Sequence, residues 1–161
     1  MALEAQAKGA IEFGGVTPVL RVSDVPASLD YYVRVLGFRI QFKFPDETHP
    51  FFASVSRGHC GLFLSAGDQG HPGSWVWIDA KDVDAVYEEY KASGAKIRNP
   101  PTNYSWGSRE MQVEDLDGNI LRLASDRKAG EPDGEWLDMH GKRWPPQPEA
   151  GEGAQAGNVE E

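Results

Sequence analysis

The side chains that could act as nucleophiles, bases or metal ligands do not form any familiar catalytic spacing. Ser65 and the single cysteine, Cys60, have no histidine at a motif distance, and neither a GxSxG turn nor a glycine-rich phosphate loop occurs. No histidine pair has HxH or HxxxH spacing, and the four histidines are His49, His59, His71 and His140. Such histidines are ordinarily surface residues, and an isolated cysteine behaves as a small hydrophobic residue. The sequence therefore favours binding over covalent catalysis.

Aromatic side chains are the other residues that could contact a ligand, and the chain has five Trp, seven Phe and five Tyr. Phe38, Phe63 and Trp77 alternate with apolar neighbours on predicted strands, so we expect them in the core. Trp106 differs because it stands in a polar, loop-like run, residues 102–107, where a large ring has little core to enter. An exposed aromatic ring on a rigidly based loop is typical of a binding site. Trp106 is therefore the first candidate ligand contact.

Helix and strand signals place these residues on a repeated unit. An apolar strand at 19–22 leads into a helix that Asp24 begins and Gly37 ends, as an N-cap residue and a C-terminal glycine do. Strands are predicted next at 38–44, 51–56 and 62–65. The order then recurs, with a strand at 75–78, a helix from Asp82 to Gly94, and strands at 95–98, 110–114 and 120–124.

Matching landmarks of the two units lie 57 to 59 residues apart, as Gly37 and Gly94 do. Recurrence at a nearly constant offset indicates one supersecondary unit used twice, neither copy of which can bury its apolar sheet face alone. We predict an α+β fold of two βαβββ repeats, at about 16–66 and 74–125, within one domain spanning 16–125.

The flanking segments have a different composition. Residues 1–15 and 145–161 are small, polar or Pro/Gly-rich, and we expect them to be mobile. Residues 126–161 form an acidic, Pro/Gly-rich C-terminal extension with nine acidic and four basic residues. Trp136 and Trp144 are too apolar for a free tail, so a short element that docks on the domain is expected there.

Charge and hydropathy exclude several classes of partner. The net charge of −9 argues against nucleic acid, which needs a basic face. No apolar run approaches the roughly 20 residues of a membrane span, and the N-terminus does not have the order of a signal peptide. With one cysteine there is no intrachain disulfide, and we expect a cytoplasmic protein with no membrane partner.

The repeat resembles the vicinal-oxygen-chelate superfamily of glyoxalases, extradiol dioxygenases and antibiotic-resistance proteins. The runs at 36–38 and 115–119 carry the resemblance in fold. Four short patches, at 18–20, 62–69, 75–77 and 106–110, resemble the bleomycin resistance proteins, which sequester the drug instead of modifying it. The resemblance implies half-barrels around a cleft and a homodimer that completes two grooves, with the first strand exchanged near a proline such as Pro18.

Enzymes of that superfamily hold a divalent ion through His or Glu at four strand positions. Those positions correspond here to Thr17, Phe63, Trp75 and Arg122. Phenyl and indole rings have no lone pair for a metal, and a guanidinium stays protonated and repels one. We therefore expect no metal and no other cofactor.

The resemblance also implies a set of groove-lining residues. Aromatic rings at matching positions would hold the flat part of the ligand, and two neighbouring residues would supply polar contacts; the rings are Trp106, Phe42, Phe52 and Trp75, and the polar residues are Ser65 and Gln41. If Trp106 stacks on the ligand, Trp106→Ala should weaken binding by about 2 kcal/mol or more and change folding stability by under about 1 kcal/mol.

Three functional interpretations follow. The leading one is a binding protein that sequesters a flat, cationic antibiotic of the bleomycin type and so confers resistance. The second is a lyase, isomerase or dioxygenase of the same superfamily, with a displaced or absent metal site or metal-free acid–base work by Glu110 or Arg122. The third is a stress or self-interaction module without a small ligand. A metal assay separates the second from the first, and a tryptophan-fluorescence titration separates the first from the third.

Overall fold

The computed structural model describes residues 14–145, so the predictions for residues 1–13 and 146–161 lie outside the described residues. Two helices and ten strands follow one another along this part of the chain. Their bounds are β1 Val19–Arg21, α1 Val25–Asp30 with a π-helical continuation Tyr31–Val35, β2 Arg39–Phe44, β3 Phe52–Arg57, β4 Cys60–Ser65, β5 Trp75–Asp79, α2 Val83–Ser93, β6 Lys96–Asn103, β7 Ser108–Glu114, β8 Ile120–Asp126, β9 Trp136–Leu137 and β10 Arg143–Trp144.

The strands form two four-stranded sheets of the same topology and a separate two-stranded hairpin. The first sheet has the order β1-β4-β3-β2 and the second the order β5-β8-β7-β6. In each sheet the first strand of the repeat pairs in parallel with the last, and the other pairs are antiparallel. The predicted α+β fold of two βαβββ repeats is confirmed.

Local signals set the ends of both helices. Asp24 Oδ1 accepts the Ala27 backbone N–H at 2.9 Å at the start of α1. Asp82 Oδ1 accepts two N–H groups at the start of α2, which ends at Gly94 in the left-handed conformation, with φ of +79°. In the described part of the chain, neither helix is long and apolar enough to cross a membrane.

The core lies between the helices and one face of each sheet. Alternate residues of the central strands are fully buried there, and they belong to a single cluster that spans both repeats: Ala53, Val55, Leu62, Leu64, Met111, Val113, Leu121 and Leu123. Because side chains alternate along a strand, the residues between them lie on the opposite sheet face. Each repeat thus has one covered sheet face and one open face.

Buried polar groups join the two repeats. The Tyr32 hydroxyl donates to Asp115 Oδ2 at 3.1 Å, and Asn119 Nδ2 donates to the Arg21 carbonyl at 2.9 Å. The Tyr90 hydroxyl donates to the Leu36 carbonyl at 3.1 Å, and burial raises the pKa of Tyr90 to about 12. The turn at 115–119 therefore fixes the second repeat against the first.

The first strand pairs within its own chain. β1 runs parallel to β4, with Val19 opposite Phe63. Exchange of this strand between subunits, and the homodimer itself, stay predictions.

The C-terminal extension folds back onto the second repeat. Arg109, which is 5% exposed, binds Asp84 of α2 at 2.7 and 2.8 Å and Glu131 of the extension at 2.7 Å. Asn103 Nδ2 donates to two backbone carbonyls of the extension at 2.9 and 3.0 Å. Beyond these contacts, β9 and β10 form the antiparallel hairpin that carries Trp136 and Trp144.

Two of the three aromatic residues expected in the core do not lie there. Phe38 is buried at 4% exposure, but Trp77 is 50% exposed and Phe63 is half-buried. In β5 it is Val76 and Ile78 that pack against the core, so Trp77 lies on the open face of the sheet. The predicted alternation is present in β4 and β5, but the residues that pack against the core are the aliphatic ones, Leu62 and Leu64 in β4 and Val76 and Ile78 in β5.

Candidate functional site

The open face of each sheet carries a group of aromatic rings. We call Phe42, Phe52 and Phe63 of the first sheet the Phe face, and Trp75, Trp77 and Trp106, together with Arg122, the Trp face. Four of these rings are about half exposed: Phe42 at 46%, Trp75 at 52%, Trp77 at 50% and Trp106 at 46%. Clustered exposed rings on a rigid sheet are typical of a surface that binds a ligand or a partner.

The Phe face is a compact trio of rings from β2, β3 and β4. Phe42 and Phe52 are stacked, with ring centroids 6.2 Å apart and planes at 19°. Phe63 lies 5.2 Å from Phe52 and 6.0 Å from Phe42. The structure thus brings together two predicted ligand contacts, Phe42 and Phe52, with a ring that was expected in the core.

The two predicted polar contacts are already engaged within the chain. Gln41 Nε2 donates to Ser56 Oγ at 2.8 Å from a β-bulge in β2. Ser65 is only 2% exposed, and its Oγ accepts the Gly67 N–H at 3.3 Å. A ligand would reach Ser65 only if the segment after β4 moved, and the ligand-binding roles of both residues stay predictions.

The Trp face is built around a buried carboxylate. Glu110 is 1% exposed, and its Oε1 accepts the Trp106 Nε1–H at 2.5 Å and the Ser108 hydroxyl. Its Oε2 accepts the Arg122 Nε–H at 2.5 Å. A buried charge is tolerated only when it is paired and hydrogen-bonded, and these three donors meet that need. Glu110 therefore orients Trp106 and Arg122.

Arg122 lies against two indole rings. Its guanidinium carbon is 5.1 Å from the Trp77 centroid and 5.5 Å from the Trp106 centroid. These are cation–π distances, and a planar guanidinium suits such contacts better than an ammonium does. Trp77 is held in turn by Asp79, whose Oδ1 accepts the indole N–H at 2.8 Å.

Trp106 is one ring in an aromatic row that continues into the C-terminal extension. It stacks on Tyr104, with centroids 4.5 Å apart and planes at 5°. Trp136 meets it edge-on at 5.2 Å and stacks in turn on Trp144 at 6.0 Å. Trp106 does stand in the turn between β6 and β7, as predicted, but it is not an isolated ring. A ligand can meet only its remaining exposed surface, and the extension forms one wall beside it.

The match to a known family covers both repeats. The sequence model of the Glyoxalase/Bleomycin resistance protein/Dioxygenase superfamily matches residues 15–123. The chain belongs to this superfamily. Its members include enzymes and binding proteins, so membership alone does not decide the activity. No curated protein matches the chain.

Several solved structures share the superfamily fold with this chain. TioX from Micromonospora sp. ML1 is 25% identical, with a TM-score of 0.62, and the match covers 71% of this chain and 100% of TioX. The bleomycin-binding protein from bleomycin-producing Streptomyces verticillus, solved with copper(II)-bleomycin, is 29% identical, with a TM-score of 0.60 and coverage of 73% and 100%. A superfamily member from Sphaerobacter thermophilus DSM 20745 is 27% identical, with a TM-score of 0.59 and coverage of 71% and 98%. Each of the three matches leaves more than a quarter of this chain uncovered.

The residues that the resemblance assigns to the superfamily's metal positions do not fit a metal ion. Phe63 and Trp75 offer only ring carbons and an indole N–H, Arg122 is a cation, and Thr17 has one hydroxyl. Within residues 14–145, no three His, Cys, Asp or Glu side chains come together as a possible metal site. We therefore derive no step through a metal.

Sequence reasoning missed several contributors to the Trp face. Trp77 could have been found, because Trp75 and Trp77 alternate with Val76 and must share a sheet face. For Arg122 the sequence suggests only an unsuitable metal position or acid–base work. No local signal reveals its pairing with Glu110, which lies 12 residues away on another strand, or the contact between Trp106 and Trp136.

Proposed function

We propose that this protein binds and sequesters a flat aromatic antibiotic of the bleomycin type, does not modify it, and so confers resistance. The observation that carries the proposal is the pair of open sheet faces with half-exposed phenyl and indole rings. The likeness to the bleomycin-binding protein of Streptomyces verticillus supports this ligand class.

Planar heteroaromatic ligands suit these faces for a physical reason. A stacked or edge-on aromatic pair contributes about 0.5–1.5 kcal/mol beyond the area it buries. Trp75, Trp77 and Phe42 stand on strands, so their backbones are held before the ligand arrives. Binding therefore costs little loop ordering, which is the main loss in flexible sites.

A homodimer would enclose the ligand. Among residues 14–145, no ring contact joins the Phe face to the Trp face, and both leave rings about half exposed. Two copies related by a two-fold axis would set the Phe face of one against the Trp face of the other, and the same operation would make a second, identical groove. We infer that each groove is composite in this way.

The enzyme alternative has less support from the site. A metal-free general base must exchange a proton with its substrate at hydrogen-bond distance. Glu110 is 1% exposed, and both of its oxygens already accept hydrogen bonds from side chains of the same sheet. A guanidinium is too weak an acid to serve as a general acid near neutral pH.

The expected positive charge of the ligand is supported less than its flat shape. The chain carries a net −9, but residues 126–161 hold nine of the acids against four bases. On the Trp face, Arg98 and Arg122 stand beside the indoles. The two faces are thus better suited to the flat ring of the ligand than to a positive charge on it.

A titration with bleomycin tests the proposal. We expect quenching of tryptophan fluorescence to saturate, and Trp75→Ala to weaken the affinity about tenfold or more, because removing a hot-spot aromatic costs about 2 kcal/mol. The matched control is Leu116→Ala, since Leu116 is 57% exposed but lies in the turn between β7 and β8. For a cationic ligand, affinity should also fall with added salt.

The same samples distinguish sequestration from catalysis. Bleomycin recovered after long incubation should have an unchanged mass. Saturating bleomycin without any quenching of the wild-type protein would exclude this ligand, and a mass change would turn the proposal into an enzymatic one.

A further inference from the structure

Arg122 has hydrogen-bond donors that the protein does not use. Its Nε–H is taken by Glu110, but neither Nη group donates to any acceptor within residues 14–145. The side chain keeps 29% of its surface exposed, on the open side of the sheet. A guanidinium has five N–H donors, so four remain for something outside the chain.

The surroundings hold this guanidinium in place. The bond to buried Glu110 fixes one edge, and the indoles of Trp77 and Trp106 lie at 5.1 and 5.5 Å. Indole rings cannot accept the in-plane N–H donors as a carboxylate can, so these contacts leave the Nη groups available. A guanidinium held in place in this way can bind a carboxylate through two parallel hydrogen bonds, one from each Nη group.

A second guanidinium reaches over the same face. Arg98 of β6 is exposed, its guanidinium carbon lies 5.5 Å from the Trp75 centroid, and it makes no ion pair in the described part of the chain. The acids beside the face are Glu110, which is buried, and Asp79, which accepts the Trp77 indole N–H. Arg98 is thus a cation without an ion pair on the Trp face, and Arg122, although paired with Glu110, keeps its Nη donors free.

We propose that the Trp face selects a planar aromatic ligand that carries a carboxylate, with the carboxylate on the two Nη groups of Arg122 and the ring against the indoles. This rests on the proposed binding function and adds the chemical class of the group that is recognised. By the sequence resemblance, Arg122 stands at a position where enzymes of the superfamily hold a metal ligand, and here it offers the N–H donors of its two Nη groups instead.

The overall acidity of the chain does not oppose this selection. Exposed charges are screened over about 8 to 10 Å at physiological salt, whereas a bidentate contact acts at hydrogen-bond distance. The excess acidity of residues 126–161 therefore influences the approach of the ligand more than its final position.

A matched pair of probes tests the proposal: 2-naphthoate and 2-naphthamide, which share a ring system and differ in charge. By isothermal titration, we expect the wild-type protein to bind 2-naphthoate at least tenfold more tightly than 2-naphthamide at neutral pH. Equal affinities, or no binding of either probe, would overturn the proposal. Equal affinities for the two probes are also the result expected if a carboxylate from a second copy of this chain binds the Nη groups of Arg122.

Variants assign the preference to Arg122. Arg122→Gln alone would leave Glu110 buried without its cation, so the test uses the double variant Glu110→Gln with Arg122→Gln, which removes both charges and should lose the preference. Arg122→Lys should keep only part of it, because an ammonium has no planar fork. Arg39→Gln, which removes an exposed charge from β2, is the matched control and should keep it in full.

The result is separable from that of the bleomycin titration. Bleomycin binding without a carboxylate preference contradicts only this inference. A carboxylate preference without bleomycin binding contradicts only the proposed ligand type. Persistence of the preference in the double variant overturns the assignment to Arg122.

Discussion

At the scale of single residues, Glu110 determines how the Trp face is arranged. It is almost fully buried, and it receives Trp106 Nε1, Ser108 Oγ and Arg122 Nε on its two oxygens. A charged acceptor strengthens each of these bonds, and losing one donor leaves a desolvated charge less well compensated. Trp106 therefore has a structural role in addition to its candidate role as a ligand contact.

This changes the stability expected for Trp106 variants. Trp106→Phe keeps a ring but removes the N–H that Glu110 accepts, and we expect it to lower the free energy of unfolding by about 1–3 kcal/mol. Trp106→Ala should lower it further, in place of the change of under about 1 kcal/mol expected from the sequence, because the ring also stacks on Tyr104. Urea unfolding measures both variants.

The control for this prediction is Trp144→Phe. It removes an indole N–H from Asp138, which is partly exposed whereas Glu110 is almost fully buried, so the change in unfolding free energy should be smaller. Equal losses for Trp106→Phe and Trp144→Phe would contradict a special role for the Glu110 network.

At the scale of elements, the C-terminal extension lies outside the residues that the family model matches. Arg109 joins it to the domain by binding Asp84 and Glu131 from opposite sides. The hairpin of β9 and β10 then sets Trp136 against Trp106. An element outside the family match thus forms part of the wall of a face that the family fold supplies.

Docking of the extension should depend on pH. The hydrogen bond from Arg109 holds the pKa of Asp84 below its ordinary 3.8, and hydrogen bonds from Lys128 and Arg109 hold the pKa of Glu131 below 4.5. A carboxyl whose pKa is lowered by docking stabilises the docked state above its undocked pKa. Asp84 and Arg109 both belong to the domain, so the carboxyl that responds to docking is Glu131, and docking should be strongest above pH 4.5 and weaken as the pH falls below it.

The measurement is the indole N–H resonances of Trp106 and Trp136 followed by NMR as the pH is lowered from neutral. Glu131→Gln should shift both resonances toward the undocked position at neutral pH and flatten their pH dependence. Glu88→Gln, which removes an exposed charge that pairs with Lys91 on α2, should do neither. If the resonances of the Glu131 variant match those of the wild type, the ion pair does not hold the extension.

At the scale of the whole molecule, the two open aromatic faces lie on separate sheets, and the proposed ligand groove is incomplete in one chain. The predicted homodimer accounts for both faces at once, because each would cover the other across a two-fold axis. Large exposed aromatic surfaces favour association between chains because the contact removes them from water, as ligand binding also does.

Sedimentation tests this directly. One chain has a mass of 17.7 kDa, and we expect a species of twice that mass at micromolar concentration. Phe42→Asp should shift the equilibrium toward the single chain, because it places a charge on a face that the dimer covers. A wild-type protein that sediments only as a single chain at that concentration would exclude composite grooves.

The sequence alone predicted the repeat, the helix caps and the alternation of the strands. Asp24, Asp82 and Gly94 are local signals, since each acts on backbone groups within a few residues of itself. The sequence also predicted the family from short runs such as 115–119. This run is recognisable because its residues form a turn that contacts the first repeat, as Asn119 does with the Arg21 carbonyl.

What only the tertiary structure decided is which face of each strand is covered and which distant groups meet. Alternation places Trp75 and Trp77 on one face, but the packing of Val76 and Ile78 against the core is what leaves the indoles exposed. The register of β7 against β8 brings Arg122 to Glu110, and the fold of the extension brings Trp136 to Trp106. The physical reason is that local sequence sets the periodicity of a strand, whereas burial and ion pairing depend on what packs against it.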